Sequence, residues 1–293
     1  MKYLLRSMLF VPAYSEKFID KAIDCDADAI IFDMEDSVPP TKRAEARQIL
    51  SGYLEKKTFS GRQLFIRVNE LETEDLEEDL KVIQDGQILG IVAPKIRNTE
   101  DIDAFVKKLE ECEARCGLEE GTLKILPLIE TADAVLNVQS IAGSNERVIA
   151  LLFGGEDFLD SIWGRHDYPP KAFDVPRAMV AMAARMHGIL PIDTPYLDLK
   201  NEEGFKQEER ESCSLGYAGI LLVNPRQIPW AHECFTPSEE EIAEARAIME
   251  AVENAKTTGG SIATLNGKMI GPPMRKRAQK VVQIADLIKA KEK

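Results

Sequence analysis

The sequence predicts an α/β chain folded as a (β/α)8 TIM barrel with a C-terminal helical arm. Three observations carry that reading. Eight short apolar runs recur along the chain, and amphipathic stretches lie between them. The runs are continuous rather than alternating, as strands buried on both faces must be. Almost every run ends in a charged or ligand-type residue, and in a barrel those strand ends converge on one mouth. A doubly wound open sheet is the competing architecture, but such sheets usually stop near about six strands.

In order, the runs cover residues 7–11, 29–33, 64–68, 90–93, 123–129, 147–153, 188–192 and 218–223. Helical patterns occupy 15–23, 42–51, 74–83, 100–112, 132–142, 173–186 and 202–215. The runs close on Asp33-Met34-Glu35-Asp36, Arg67-Val68-Asn69, Pro94-Lys95, Glu130-Thr131, Gly154-Gly155-Glu156-Asp157, Asp193-Thr194 and Asn224-Pro225. Charge set directly after an apolar run is costly unless it has a task there. Any one of these groups, taken singly, also reads as a helix cap or a loop charge.

The barrel is expected over residues 1–236 and the arm over 237–293. Pro237-Ser238-Glu239-Glu240-Glu241 reads as a helix start, with Ser238 as cap and Glu241 completing a capping box. That helix should reach about Thr257, followed by a flexible joint at Thr258-Gly259-Gly260-Ser261. A short apolar piece at 262–265 then precedes a final amphipathic helix carrying Arg275, Lys276, Arg277 and Lys280. The arm is too small to own a core and is expected to fold over the barrel mouth or a neighbouring subunit.

Composition narrows the partners. The 293 residues include 50 acidic and 37 basic side chains, a net charge of −13. That balance argues against a nucleic-acid or anionic-membrane surface but permits an anionic small molecule in a locally positive pocket. No apolar run approaches the ~20 residues of a membrane span. Five cysteines in no paired pattern fit a reduced, cytoplasmic protein. The histidines His166, His187 and His232 make no visible metal or nucleophile triad: His187 reads as structural, His166 and His232 as loop and surface residues. No G-x-G-x-x-G follows a strand and no phosphate-loop signature is present, so hydride transfer and nucleotide hydrolysis lack support.

Glu130 and Asp157 stand out as a pair of carboxylates at one mouth without His or Cys beside them. That donor set suits a hard cation such as Mg²⁺, which takes one or two carboxylates and keeps positions for water and substrate. Gly154 and Gly155 allow close backbone approach to a ligand. Arg67 offers a planar fork to a substrate carboxylate, or alternatively a salt bridge to Asp33, Glu35 or Asp36; both fit the sequence. Lys95 is the one well-placed candidate for a Schiff-base aldolase, the rival chemistry, although a lysine beside an acid-lined mouth is more often a salt-bridge partner. Lys17 and Lys21, one turn apart, share a helix face.

Taken together, these pieces resemble the citrate lyase beta-subunit and malyl-CoA lyase family of magnesium-dependent carbon–carbon lyases. The resemblance rests on Arg6-Ser7-Met8-Leu9-Phe10-Val11-Pro12, Asp33-Met34-Glu35-Asp36-Ser37-Val38, Arg67-Val68-Asn69, Gly154-Gly155-Glu156-Asp157, Asn224-Pro225-Arg226-Gln227-Ile228 and Leu265-Asn266-Gly267-Lys268-Met269. It runs from residue 6 to about 285, and the last two pieces look closer to the citrate lyase beta subunit.

The resemblance implies Glu130 and Asp157 as Mg²⁺ ligands and Arg67 as a carboxylate clamp. Phe10 and Asn224 would contact substrate, Lys17 and Lys21 the phosphates of coenzyme A or an acyl-carrier arm, with Asp33, Glu35 and Asp36 as supporting carboxylates. The implied reaction cleaves a citryl-like thioester into a 2-oxo acid and an acetyl thioester; malyl-CoA or citramalyl-CoA lyase or thioesterase is the near alternative. Implied partners are citrate lyase alpha and carrier subunits, in a homotrimer or hexamer. Two positions depart from the family: Gly271 stands where the arm usually carries an acid/base aspartate, and Ala13 where a glycine is usual. Gly271 cannot move a proton, which raises the further reading of a non-catalytic thioester-binding homologue.

Overall fold

A computed structural model describes residues 2–56, 62–165, 171–257 and 263–291. Eight strands form a closed, all-parallel barrel in sequence order: β1 (Ser7–Pro12), β2 (Ala29–Asp33), β3 (Gln63–Arg67), β4 (Ile88–Ala93), β5 (Lys124–Ile129), β6 (Ala150–Phe153), β7 (Leu190–Asp193) and β8 (Gly219–Leu222). Closure comes from β8 pairing with β1, Ser7 opposite Ile220. Both faces of the strands are covered; every residue of β2, Ala-Ile-Ile-Phe-Asp, is buried. That explains the unbroken apolar runs, since a barrel strand packs its neighbours inside and helices outside.

Around the barrel lie α1 (Glu16–Ile23), α2 (Arg43–Lys56), α3 (Asp75–Leu80), α4 (Thr99–Cys116), α5 (Ala132–Leu136), α6 (Val138–Gly143), α7 (Gly155–Ser161), α8 (Asp174–His187), α9 (Glu202–Leu215) and α10 (Ile228–Phe235). The helix expected over 132–142 is two helices meeting at Asn137. The short α7 and α10 were not foreseen. Both follow directly after strand ends, where a run of seven or eight residues is too short for a clear period.

Two compact units divide the chain. One spans Leu5–Cys234 and holds the barrel; the other joins the first residues to the segment from Phe235 onward. In the second unit α11 (Glu239–Thr257) and α12 (Pro272–Lys291) share a small core of Ala245, Ile248, Ile270 and Ala278. The capping box forms: the Ser238 N–H donates to Glu241 (2.8 Å) and the Glu241 N–H to Ser238 Oγ (3.2 Å). Strands β9 (Thr264–Leu265) and β10 (Lys268–Met269) pair around Asn266-Gly267, both at positive φ, the tight two-residue turn that Asn-Gly favours. The expected joint at 258–261 lies outside the described residues, as does His166. His232 is not a surface residue: it sits on α10, mostly covered, with Nε2 2.8 Å from Ser7 Oγ. No helix of the described residues is long and apolar enough to cross a membrane.

Candidate active site

Arg67 is set by strand register. Asp33 and Arg67 are partners across β2 and β3, which places a carboxylate and a guanidinium side by side at the mouth. Arg67 Nε and Nη2 reach the two Asp33 oxygens, each at 2.7 Å. Its Nη1 meets Asp36 at 3.1 Å and Glu35 at 3.2 Å. The guanidinium carbon lies 4.8 Å from the Phe10 ring centroid, a cation–π contact with β1. The salt-bridge reading of Arg67 is therefore realised.

Three of these carboxyls differ in character. Burial works against the Asp33 charge, but the paired Arg67 bonds outweigh it and hold the group below its usual value. Glu35 is 6% exposed and only loosely attached to Arg67. Burial first, then Asp36, Glu130 and Asp33 against a single opposing Arg67, pushes its pKa up to about 8. Asp36 is the accessible member, its side chain 62% exposed.

A stability effect follows from Glu35. A carboxyl raised from about 4.5 to about 8 on folding binds its proton more tightly in the native state. Native stability is then unpenalised below the ordinary value and declines as pH rises through that window to about 8. Glu35→Gln is expected to match wild type near pH 4 and exceed it at pH 9 by on the order of 4 kcal/mol. Urea unfolding of metal-free protein at the two pH values measures this; an equal effect at both would contradict it.

Beside this cluster sits the second pair. Glu130 follows β5 and is 3% exposed. Asp157, half-buried, lies in the first turn of α7 after β6. The Lys95 ammonium bridges them, 3.7 Å from Glu130 Oε1 and in close contact with Asp157 Oδ1. The Lys95 backbone N–H also donates to Glu130 Oε1 at 2.7 Å, and Lys95 holds a left-handed φ of 51° to do so. Non-glycine residues adopt that conformation at a cost, so the surroundings enforce it. Burial lowers the Lys95 pKa, but Glu130 and Asp157 outweigh it and raise it. That direction opposes a Schiff-base role, which needs a neutral amine. Burial also raises the Glu130 pKa, against the opposing Lys95 charge.

The pair fits a hard cation on the structure's own terms. Two oxygen ligands from adjacent strand ends already share one positive charge. Gly154 leaves Glu130 room: a Cβ there would lie 2.5 Å from Glu130 Cβ and 2.9 Å from its Oε2. Among the described residues no group of three or more Asp, Glu, His or Cys is placed to hold a metal ion. A metal held here keeps most of its positions for water and substrate, as Mg²⁺ does.

On the other side of Phe10 lies a cavity of about 560 Å³ lined by Phe10, Phe18, Lys21, Val223, Asn224 and Arg226 among others. Its walls come from β1, α1 and the turn after β8. Asn224 Oδ1 accepts the Arg226 N–H at 3.0 Å, capping that turn, so its amide nitrogen is the part left to meet a ligand. Neither Lys21 nor Arg226 has a carboxylate partner among the described residues. Lys17, one turn before Lys21, is exposed and lies outside this lining. Phe10 thus joins two regions, the cavity and the Arg67 cluster. Sequence reasoning missed Arg226 and Phe18 as lining residues and took Lys95 only as a nucleophile or a plain ion pair. Arg226 was within reach, because a cation two residues past a strand-end asparagine falls at the same mouth.

Residues 6–225 match the HpcH/HpaI aldolase/citrate lyase family. Citrate lyase subunit beta of Escherichia coli K12 is 34% identical over 284 residues, covering 96% of this chain and 93% of that protein. Among solved structures, a citrate lyase from Burkholderia xenovorans superposes with a TM-score of 0.82 at 19% identity, over 98% of this chain and 93% of that one. The CitE protein of Mycobacterium tuberculosis, in complex with magnesium, acetoacetate and coenzyme A, gives 0.72 at 23% identity, over 96% of this chain and 97% of that one.

Proposed function

The chain belongs to the HpcH/HpaI aldolase/citrate lyase family, and on that footing we propose that it is a Mg²⁺-dependent carbon–carbon lyase. Its substrate is a citryl-like acyl thioester; its products are a 2-oxo acid such as oxaloacetate and an acetyl thioester. The observation that carries this reading is the pairing of Glu130 and Asp157 around the Lys95 ammonium at the barrel mouth, near enough to Arg67 for its charge to act on Glu130, with Phe10 shared between Arg67 and the Lys21–Arg226 cavity. Glu130 and Asp157 would hold the ion, which when bound would supply Lewis-acid polarisation of a substrate oxygen.

The remaining tasks fall to the chain's own residues. Lys95 now occupies the oxygens that would bind the ion and would have to give them up to it. Arg67 meets the substrate carboxylate; Asp36, its most exposed partner, is the one displaced, while Asp33 keeps the guanidinium plane fixed. Cleavage removes a hydroxyl proton and returns one to the thioester enolate carbon. Gly271 offers no group for either transfer. Glu35, held protonated, and the accessible Asp36 are the carboxyls left at the mouth to move them. Lys21 and Arg226 suit the phosphates of coenzyme A or a phosphopantetheine carrier arm over an apolar floor.

The test is an assay of purified protein with Mg²⁺ on citryl-, malyl- and citramalyl-CoA, alongside Gly271→Asp. An aspartate fits at 271, where the nearest atom to an added Cβ is Pro273 Cδ at 3.6 Å. Wild type is expected to release oxaloacetate from the citryl thioester and to act weakly on the other two. If wild type cleaves none while Gly271→Asp gains activity, the natural protein is a binding homologue and the lyase reading falls.

A further inference from the structure

We propose that Thr194 is a positioning residue for Asp157, its hydroxyl fixing where the metal-ligand turn begins. The inference rests on the reading of Asp157 as a metal ligand. Asp157 is the third residue of α7, so its reach toward Glu130 depends on where that helix starts. A helix start leaves its first backbone N–H groups without internal partners, and a side-chain oxygen usually accepts one of them. Gly154, at the cap position, has no side chain to do so. Thr194, from the neighbouring strand end, supplies the oxygen instead: the Gly155 N–H donates to Thr194 Oγ1 at 2.8 Å, with both residues buried.

The fit around that bond is close. A Cβ at Gly155 would stand 2.9 Å from Thr194 Oγ1 and 2.6 Å from Phe173 Cζ, so the turn is seated against both. Thr194 is itself held from behind. Its N–H donates to Asp193 Oδ1 at 2.8 Å. Asp193, fully buried, also receives Arg177 Nε at 3.0 Å and the Ser212 hydroxyl. Arg177 lies 5.3 Å over the Phe173 ring, which packs edge-on against Phe153 at the end of β6. The polar set behind β7 and the aromatic set behind β6 therefore converge on Gly155 from two sides. Partners of this kind, one step removed from the metal, typically govern ligand geometry and cost about 10–100-fold in affinity when lost.

Thr194→Val keeps the branched shape and removes the acceptor; Thr194→Ser restores the hydroxyl with one methyl fewer. Calorimetric Mg²⁺ titration of the full chain, with thermal melts alongside, reads both, and Thr194→Ala replaces the valine variant if that one does not fold. Loss of the hydroxyl is expected to weaken Mg²⁺ binding by about tenfold or more, and serine to recover most of it. Unchanged affinity without the hydroxyl, or serine as weak as valine, overturns the proposal. Asp157→Ala separates the two levels. If it binds Mg²⁺ like wild type, the metal assignment fails and the proposal with it; if it loses the ion while Thr194→Val does not, only the positioning role fails.

Discussion

Glu130→Gln is expected to lower kcat/KM by on the order of 10³ and to weaken Mg²⁺ binding by about 100-fold. The substitution conserves volume. Its amide oxygen can still accept the Lys95 N–H that Glu130 takes at 2.7 Å, so the strand end and the strained Lys95 backbone keep their anchor. What is lost is the charge. Glu130 is the buried half of the pair, and a buried carboxylate at the metal is worth more than an exposed one because water does not screen it. Asp157, half-exposed and on a short helix, cannot hold a hard divalent ion alone at useful affinity. Calorimetry with Mg²⁺ and steady-state kinetics over a metal series measure the two effects together. An unchanged Mg²⁺ affinity would remove Glu130 from the metal site whatever happens to the rate.

The fold was legible because a barrel strand has no solvent face. Five consecutive buried residues in β2 leave a run that an alternating sheet does not produce. The mouth was legible for a related reason: Asp33, Arg67, Glu130 and Asp157 are charges directly after such runs, and parallel strands bring all those ends to one side. What the one-dimensional reading lacked was register and depth. That Arg67 faces Asp33 rather than open solvent follows from the β2–β3 pairing, which no local pattern encodes. Lys95 bridging Glu130 and Asp157 depends on a left-handed backbone at a position where nothing in Pro94-Lys95 announces it. Glu209 on α9 reads as one more charge in an acidic helix, yet both its oxygens are enclosed without a hydrogen-bond partner among the described residues, and burial raises its pKa well above the usual carboxylate range. Such groups are visible only once helices are laid on the barrel.

The net charge of −13 takes on a local meaning at the mouth. Asp33, Glu35, Asp36, Glu130 and Asp157 face only Arg67 and Lys95 there. Five acids against two bases leave three negative charges, which a divalent ion and one retained proton on Glu35 would cancel. An anionic substrate meets a far less repulsive site than the composition implies. The same arithmetic predicts that metal and anionic substrate would each strengthen binding of the other.

Arg67→Lys is the second large effect, a fall in kcat/KM expected at about 10²–10³ despite conserved charge. The guanidinium does several things at once: it bonds both Asp33 oxygens at 2.7 Å, meets Asp36 and Glu35 through Nη1, and lies over the Phe10 ring, its carbon 4.8 Å from the centroid. A lysine ammonium is a single point and cannot span Asp33 bidentately while reaching Asp36. Asp33, almost fully buried, would lose part of the pairing that keeps it ionised, and Glu35 would lose the nearby Nη1 contact. Breaking a buried pair on one side typically costs about 3–5 kcal/mol; a lysine that keeps one contact should cost less, on the order of 2 kcal/mol. Asp36→Asn separates structure from substrate binding, because Asp36 is exposed and contributes little to the fold. If Arg67 clamps the substrate carboxylate by exchanging Asp36 for it, Asp36→Asn lowers KM slightly, with kcat falling as a proton-moving carboxyl is removed, while Arg67→Lys raises KM strongly. If Arg67 only braces Asp33, Arg67→Lys loses stability and kcat with KM unmoved, and the clamp is refuted.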